Sequence, residues 1–413
     1  MDLFHNPFSP GAGRPPPELV GRGEILQQAL VALGRVKRGR AEKSILIVGL
    51  RGTGKTVLLR EIAGLAQQEQ YQAIMIEARE KKSLPEILLL ELRQMLFSLD
   101  RGERVSAKVK RAFSVFKSFL STIKRVNVKI QDIDIGMDIE AEKGTADSGD
   151  LEADLTQLFI ALGEAAQDKQ TAIAIIIDEL QYLHQEELSA LIMAIHIIVQ
   201  KALPIVLIGA GLPQLIGHVG HAKSYAERLF SYPKVGPLKT EDAKAALQKP
   251  VQKEGVMFTE EALDEIVRVT EGYPYFLQEW GYQAWNLAKD SSIDIHIARQ
   301  ATSVSIDVLD QNFFLVRFDK LTPREKEYLR ALAEWDTQSQ RSGEVADKLG
   351  IDVQHAASIR NSLIKKGIIY SPAYGNTAFT VPLFGGFMKR VMPDFVISKK
   401  REYKQGGRKH ADD

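Results

Sequence analysis

The sequence contains no cysteine, which excludes a disulfide framework, thiolate catalysis and cysteine-ligated zinc. It also contains no apolar run near the ~18–20 residues that a membrane span needs. Its start, Met1-Asp2-Leu3-Phe4-His5, has neither the basic stretch nor the apolar core of a signal peptide. No internal repeat is present. Charge of one sign is lacking too: 54 basic against 53 acidic residues leave a net of +1, a balance that names no partner. What remains is ordinary, 45% apolar and 26% charged residues in a chain of 413. That composition is globular, and the length suits two or three domains with full cores. The expectation is a soluble, cytoplasmic protein with no membrane contact.

The balanced total hides local blocks. Residues 321–413 hold 16 Lys and Arg against 11 Asp and Glu, and the first 320 hold 38 against 42. Residues 101–130 carry nine basic side chains and one acid, whereas 131–154 carry nine acids and one base. Such blocks suit a solvated surface insertion, with a nucleic-acid contact from the basic half as the other reading.

Along the chain, residues 1–17 are rich in proline and glycine and predict an extended lead-in. Helical spacing follows over 24–37, 55–68, 84–99, 108–125, 151–167 and 188–200. Short apolar, β-branched runs intervene at 44–48, 73–77, 171–177 and 204–208, the pattern of strands buried on both faces of a parallel sheet. Residues 127–140 alternate (Val128, Ile130, Ile133, Ile135, Ile139) and predict a hairpin. Strands separated by helices imply an α/β domain with a parallel sheet. From 239 to 314 the pattern is helical only, with Thr259 as an N-cap and Gly272 and Pro274 as a stop.

Gly49-Leu50-Arg51-Gly52-Thr53-Gly54-Lys55-Thr56 satisfies the phosphate-loop pattern in full, between an apolar strand and a helix that opens at Lys55 and continues with Val57. Glycines let successive backbone N–H groups curl around phosphates, and the helix turns its positive end towards them. Lys55 is then placed to reach the β- and γ-phosphates and Thr56 to ligate Mg²⁺. Ile175-Ile176-Ile177 runs into Asp178-Glu179, where an ATPase of this kind needs two carboxylates. Asp178 is assigned to the metal and Glu179 to polarising the attacking water. ATP or ADP with Mg²⁺ is the expected cofactor.

These motifs, the helical stretch after them and the C-terminal unit together resemble the AAA+ superfamily, in particular its initiator-type origin-recognition ATPases and the related STAND signalling ATPases. The resemblance covers about residues 18–390 and implies a parallel-sheet P-loop core over 18–238, with the charged insertion at about 101–154. It also implies a helical lid over 239–320, a winged-helix domain over 321–390 and a basic tail over 391–413. Leu19-Val20-Gly21-Arg22-Gly23-Glu24 is similar to the opening motif that these families place near the adenine, which makes Val20 and Gly21 base contacts. Gly272-Tyr273-Pro274 resembles their Gly-x-Pro lid signature and brings in Tyr273 and Pro274. Ser224-Tyr225-Ala226-Glu227-Arg228 resembles the arginine-finger segment, so Arg228 is expected to act in trans on a second copy. Two departures stand out: the fourth strand ends Gly209-Ala210-Gly211-Leu212-Pro213, without the polar sensor many relatives carry, and the lid motif lacks an arginine. Fewer groups to stabilise developing charge imply slow hydrolysis and a switch rather than a motor. Gln181 offers a polar group beside the carboxylates.

In the last third, Thr322-Pro323-Arg324-Glu325 opens a helix with an N-cap and a proline at the first position. A second helix covers 342–349, and Asp352 caps a third that runs to Lys366. Residues 368–370 and 379–381 flank an expected wing loop at 371–378, which completes the pattern of a winged helix-turn-helix. Gln354, Ser358, Asn361 and Lys365 form one polar stripe of the third helix, suited to base edges and phosphates of duplex DNA. A nucleotide-dependent assembly switch that engages DNA is one expectation. A signalling scaffold that uses the lid and winged helix for a protein partner is the other.

Overall fold

The computed structural model describes residues 1–11, 13–100, 106–125, 140–335 and 339–394. The expected hairpin at 127–140 and all but the start of the basic tail at 391–413 lie outside them, apart from Glu140. Contacts divide the chain into two compact units, Met1–Ser305 and Ile306–Asp413.

In the first unit, α1 (Gly23–Lys37), β1 (Ser44–Gly49), α2 (Lys55–Gln68), β2 (Tyr71–Glu77), α3 (Leu84–Leu99) and α4 (Ala107–Arg125) follow in turn. Next come α5 (Leu151–Asp168), β3 (Ala172–Asp178), α6 (Gln185–Gln200), β4 (Ile205–Gly211), α7 (Leu215–Ala222) and α8 (Ala226–Leu229), before the short strands β5 (Phe230–Ser231) and β6 (Lys234–Val235). The strands form one parallel sheet in the order β2-β3-β4-β1-β5, with β6 also on β1. Side chains that alternate along each strand feed two cores. Ile173, Ile175, Ile177, Leu207 and Leu46 face α3–α6. Ala174, Ile176, Ile208, Ile45 and Ile47 face α1 and α2 through Leu33, Leu58 and Ile62. Apart from Ser44, Tyr71 and Gln72 near the amino ends of β1 and β2, strands β1–β4 carry no side chain able to do acid–base or metal chemistry before their carboxyl ends, where such residues collect.

The basic block differs from a surface insertion. Val109, Ala112, Phe113, Phe116, Phe119 and Leu120 of α4 recur at helical spacing and are buried in the larger core. The charges that dominate the composition lie on the other side, where Lys108 and Arg111 pair with Glu164 at 2.7 and 3.1 Å and Arg111 also meets Glu142. Those two cations are paired within the chain rather than left for a nucleic acid.

The helical part of this unit comprises α9 (Thr240–Lys253), α10 (Glu260–Thr270), α11 (Pro274–Leu287) and α12 (Ile295–Leu309), the last crossing into the second unit. It adds one feature to a purely helical pattern, a two-residue parallel pairing of β7 (Met257–Phe258) with β8 (Ser292–Ile293). The N-terminal segment packs on this part: Asn6 donates to the Tyr282 carbonyl at 3.1 Å, and the Phe8 ring is 2% exposed. It lies so near Gly281 that a Cβ there would meet the ring at 2.6 Å.

The second unit opens with a π-turn at Asp310–Phe314 and α13 (Leu315–Phe318). It continues with α14 (Pro323–Leu332), β9 (Gln340–Arg341), α15 (Ser342–Leu349), α16 (Val353–Lys365), β10 (Ile369–Tyr370), β11 (Asn376–Phe379) and α17 (Phe384–Val391). The three strands form an antiparallel sheet, β10-β11-β9. The last strand starts at Asn376, earlier than the apolar run at 379–381 suggests. Thr377 is fully buried, and Arg360 binds its hydroxyl at 2.8 Å and the Asn376 carbonyl at 3.0 Å.

Candidate functional site

At the end of β1 the chain closes on itself. Lys55 Nζ and Thr53 Oγ1 both donate to the Leu50 carbonyl at 2.8 Å. Gly52 and Gly54 take φ of +77° and +92°, the left-handed region open to glycine at no Cβ penalty. At Gly49 the requirement is space, since a Cβ there would sit 2.2 Å from the Val235 carbonyl oxygen. Gly54 caps α2 without a side-chain bond, so the first-turn N–H groups are left for an anion. Val57, one residue further than the loop's threonine, is half-buried.

The carboxylates meet this loop at one point. Thr56 Oγ1 donates to Asp178 Oδ2 at 2.5 Å, which links α2 to the end of β3. Asp178 is 4% exposed, and burial pushes its carboxyl up against the lowering effect of the Thr56 hydroxyl. Lys55 is 6% exposed, and burial pushes its ammonium down, opposed by the charges of Glu179 and Asp178. Inside the chain each charge is thus only partly compensated. Among the described residues no cluster of three or more His, Asp or Glu could hold a metal alone. Thr56 with one carboxylate fits Mg²⁺, which is commonly bound by one or two carboxylates plus substrate phosphates.

Glu179 follows at φ +55°, and its backbone N–H returns to Asp178 Oδ1 at 2.8 Å. Its carboxylate accepts from Gln181 Nε2. Next in the turn, the Tyr182 hydroxyl accepts from the Arg51 guanidinium at 2.6 Å.

The helical part reaches the same loop. Tyr273 Oη donates to the Arg51 carbonyl, and the Tyr275 N–H to the Gly52 carbonyl at 3.3 Å. Gly272, at φ +68°, lies so close to the linker that a Cβ would stand 2.5 Å from the Leu238 carbonyl oxygen. Tyr273 is buried, and Pro274 starts α11. Arg22 donates to the carbonyls of Thr53 at 3.2 Å and Gly236 at 2.6 Å. Val20 is half-buried, and Gly21, at φ +68°, abuts Asp242 and Leu238.

Residues 18–208 match the family model for the AAA ATPase domain. This segment is an AAA ATPase domain. Residues 311–388 match a domain of unknown function, DUF8462. Among solved structures, the Walker-type ATPase of Pyrococcus abyssi is similar at a TM-score of 0.59 and 18% identity, over 91% of this chain and 98% of its own. That likeness shows the fold. Cdc6p of Pyrobaculum aerophilum follows at 0.46 and 15% identity, over 95% and 98% of the two chains. The Orc1 protein of Aeropyrum pernix in complex with DNA reaches 0.44 and 15% identity, over 90% and 93%. Comparison with curated proteins gives no match.

Two residues of the AAA ATPase domain, Arg22 and Tyr182, were not legible as site residues: Arg22 lies in a motif singled out for its neighbours, and nothing in the sequence singles out Tyr182. Gln181, the polar group expected beside the carboxylates, also accepts from the Leu212 N–H at 3.0 Å. Each is placed by a contact far away in sequence. Arg228 lies exposed on α8, with no ion pair among the described residues. Gln354, Ser358, Asn361 and Lys365 are all exposed on α16, in the other compact unit, whereas Arg360 at the margin of that stripe is spent on β11. Among the described residues no helix is long and apolar enough to cross a membrane.

Proposed function

We propose that the chain is a Mg²⁺-dependent ATPase whose nucleotide state controls self-assembly and engagement of duplex DNA. The observation that carries the reading is the 2.5 Å bond from Thr56 to Asp178, which joins the phosphate loop to the carboxylate strand. Thr56 and Asp178 would hold Mg²⁺, Lys55 the β- and γ-phosphates, and the backbone N–H groups of residues 49–57 the phosphate chain. Val20, Gly21, Tyr273 and Pro274 would enclose the base. Bound there, Mg-ATP supplies a phosphoryl group open to water, with the metal spreading the developing charge. Glu179 takes the proton of that water as general base. β4 ends without a polar side chain, so fewer groups stabilise the transition state and turnover is slow. Arg228, projecting from α8, adds positive charge to the site of a second copy.

The second unit is read as a winged helix. Its α14–α16 and the β10–β11 hairpin support this, and the exposed stripe Gln354, Ser358, Asn361 and Lys365 suits the major groove and its phosphates. The test is an anisotropy titration of the full chain against labelled duplex DNA at ~50 mM salt, where phosphate contacts are strong, with ATP and with ADP. Lys365→Glu should weaken binding to every sequence and flatten the salt dependence by about one contact. Asn361→Ala should weaken a preferred site alone, by ~1–3 kcal/mol. A chain without residues 395–413 controls for the basic tail. Absence of affinity above the nonspecific level in both nucleotide states would replace the DNA reading with a protein-binding scaffold.

A further inference from the structure

We propose that Gln181 is a positioning residue for Glu179, seated in space that two glycines of β4 leave open. The inference rests on the reading of Glu179 as general base. At Gly209 a Cβ would lie 2.2 Å from Leu180 Cδ1, and at Gly211 it would lie 2.8 Å from both Gln181 Oε1 and Leu215 Cδ2. Neither glycine has a positive φ, so what these positions require is room and not an unusual backbone. The turn Leu180–Tyr182 therefore sinks into the end of β4, and Gln181 is buried, 9% exposed.

The amide held in this seat can face only one way. The Leu212 N–H is a donor without acceptor capacity, and it takes Gln181 Oε1 at 3.0 Å. That leaves the Nε2 end to donate, and its acceptor is the Glu179 carboxylate. Glutamine is the side chain that satisfies both ends: glutamate in this place cannot donate, and methionine can do neither. Glu179 sits at φ +55°, off the strand, so the direction of its carboxylate is not inherited from β3. The Gln181 bond fixes one carboxylate oxygen and leaves the other to receive a proton. β4 runs beside β1, with Gly211 opposite Val48. The amide thus ties the base to the strand next to the phosphate loop. The polar contact missing from the end of β4 is supplied from the β3 side, by a residue that needs the glycines there.

The test uses the full chain and compares steady-state ATP hydrolysis with binding of a fluorescent ATP analogue in Glu179→Gln, Gln181→Met and Gly211→Ala. Gln181→Met keeps the volume and removes both bonds. Gly211→Ala reaches the same amide by displacing it, with the glutamine side chain itself chemically unchanged. Each should lower kcat by ~10–100-fold, the scale of a misplaced reacting group, with the analogue's Kd within about twofold of wild type. Combined with Glu179→Gln, Gln181→Met should cost nothing further, because it acts through the base. Loss of binding together with kcat, or additive losses in the double variant, would mark Gln181 as merely structural and overturn the proposal. So would normal kcat in both Gln181→Met and Gly211→Ala beside an inactive Glu179→Gln, an outcome that leaves the base assignment standing. Turnover of Glu179→Gln within about twofold of wild type would instead remove the base assignment itself.

Discussion

Glu325 should set the acid limit of the second unit. It is 3% exposed at the start of α14 and closes a capping box with Thr322. Its Oε2 accepts from the Thr322 N–H and from Lys366 Nζ, both at 2.7 Å, and its Oε1 accepts from Ser362 Oγ at 2.7 Å. Burial alone would raise this carboxyl, but the Lys366 ammonium and the hydrogen bonds from Thr322 and Ser362 outweigh it and hold the pKa at about 2. At ~1.36 kcal/mol per pH unit, the fall from 4.5 to about 2 amounts to ~3 kcal/mol. Lys366 is 37% exposed, so solvent trims this to ~2–3 kcal/mol. The sign follows from the lowered value: the stabilisation is complete above pH 4.5 and is lost as the pH falls towards 2. Glu325→Gln should therefore speed hydrogen–deuterium exchange of the Leu329–Leu332 amides ~30–150-fold at pH 7, and under ~10-fold at pH 3 relative to wild type at the same pH. Acceleration below about threefold at pH 7, or the same factor at both pH values, would refute the reasoning. The exposed polar stripe of α16 depends on the same carboxylate, because Ser362 and Lys366 anchor the end of the helix to it.

Two further outcomes bear on the nucleotide site. Lys55→Ala should abolish tight ATP binding in equilibrium titrations while the loop keeps the Thr53 bond to the Leu50 carbonyl; an unchanged dissociation constant would remove the phosphate-loop assignment. Mixing Arg228→Ala with Lys55→Ala protein should restore some hydrolysis, since an arginine supplied in trans can be worth ~10³-fold or more. No recovery in a mixture that demonstrably co-assembles would make Arg228 a surface charge.

The sheet was legible because strands covered on both faces cannot hide: Ile173–Ile177 and Ile205–Ile208 have no polar position to confuse the pattern. The phosphate loop was legible because its glycines answer to local backbone geometry. α4 was legible as a helix but not as a core element, since its cations dominate the composition while its apolar stripe at Val109, Phe113 and Phe116 does the packing. Gly209 and Gly211 read as a missing polar sensor, whereas the space they leave is filled by Leu180 and Gln181, some thirty residues earlier in the turn after β3. The same holds for Asn376–Phe379, whose polar start is strand-like only once Arg360 covers Thr377. Local rules carry the elements and the loop. Contacts between distant segments decide how side chains are spent.

Two carbonyls of the phosphate loop, those of Arg51 and Gly52, take hydrogen bonds from Tyr273 and Tyr275 of the helical part. Displacing that part strips both bonds at once, so the loop shape that cradles phosphate and the docked helices are favoured together. Thermodynamic reciprocity then sets a rule for any factor that grips α11: by whatever ratio nucleotide strengthens docking, pulling the helices away weakens nucleotide. On the proposed reading of the loop as a nucleotide site, an exchange factor need never touch the nucleotide itself.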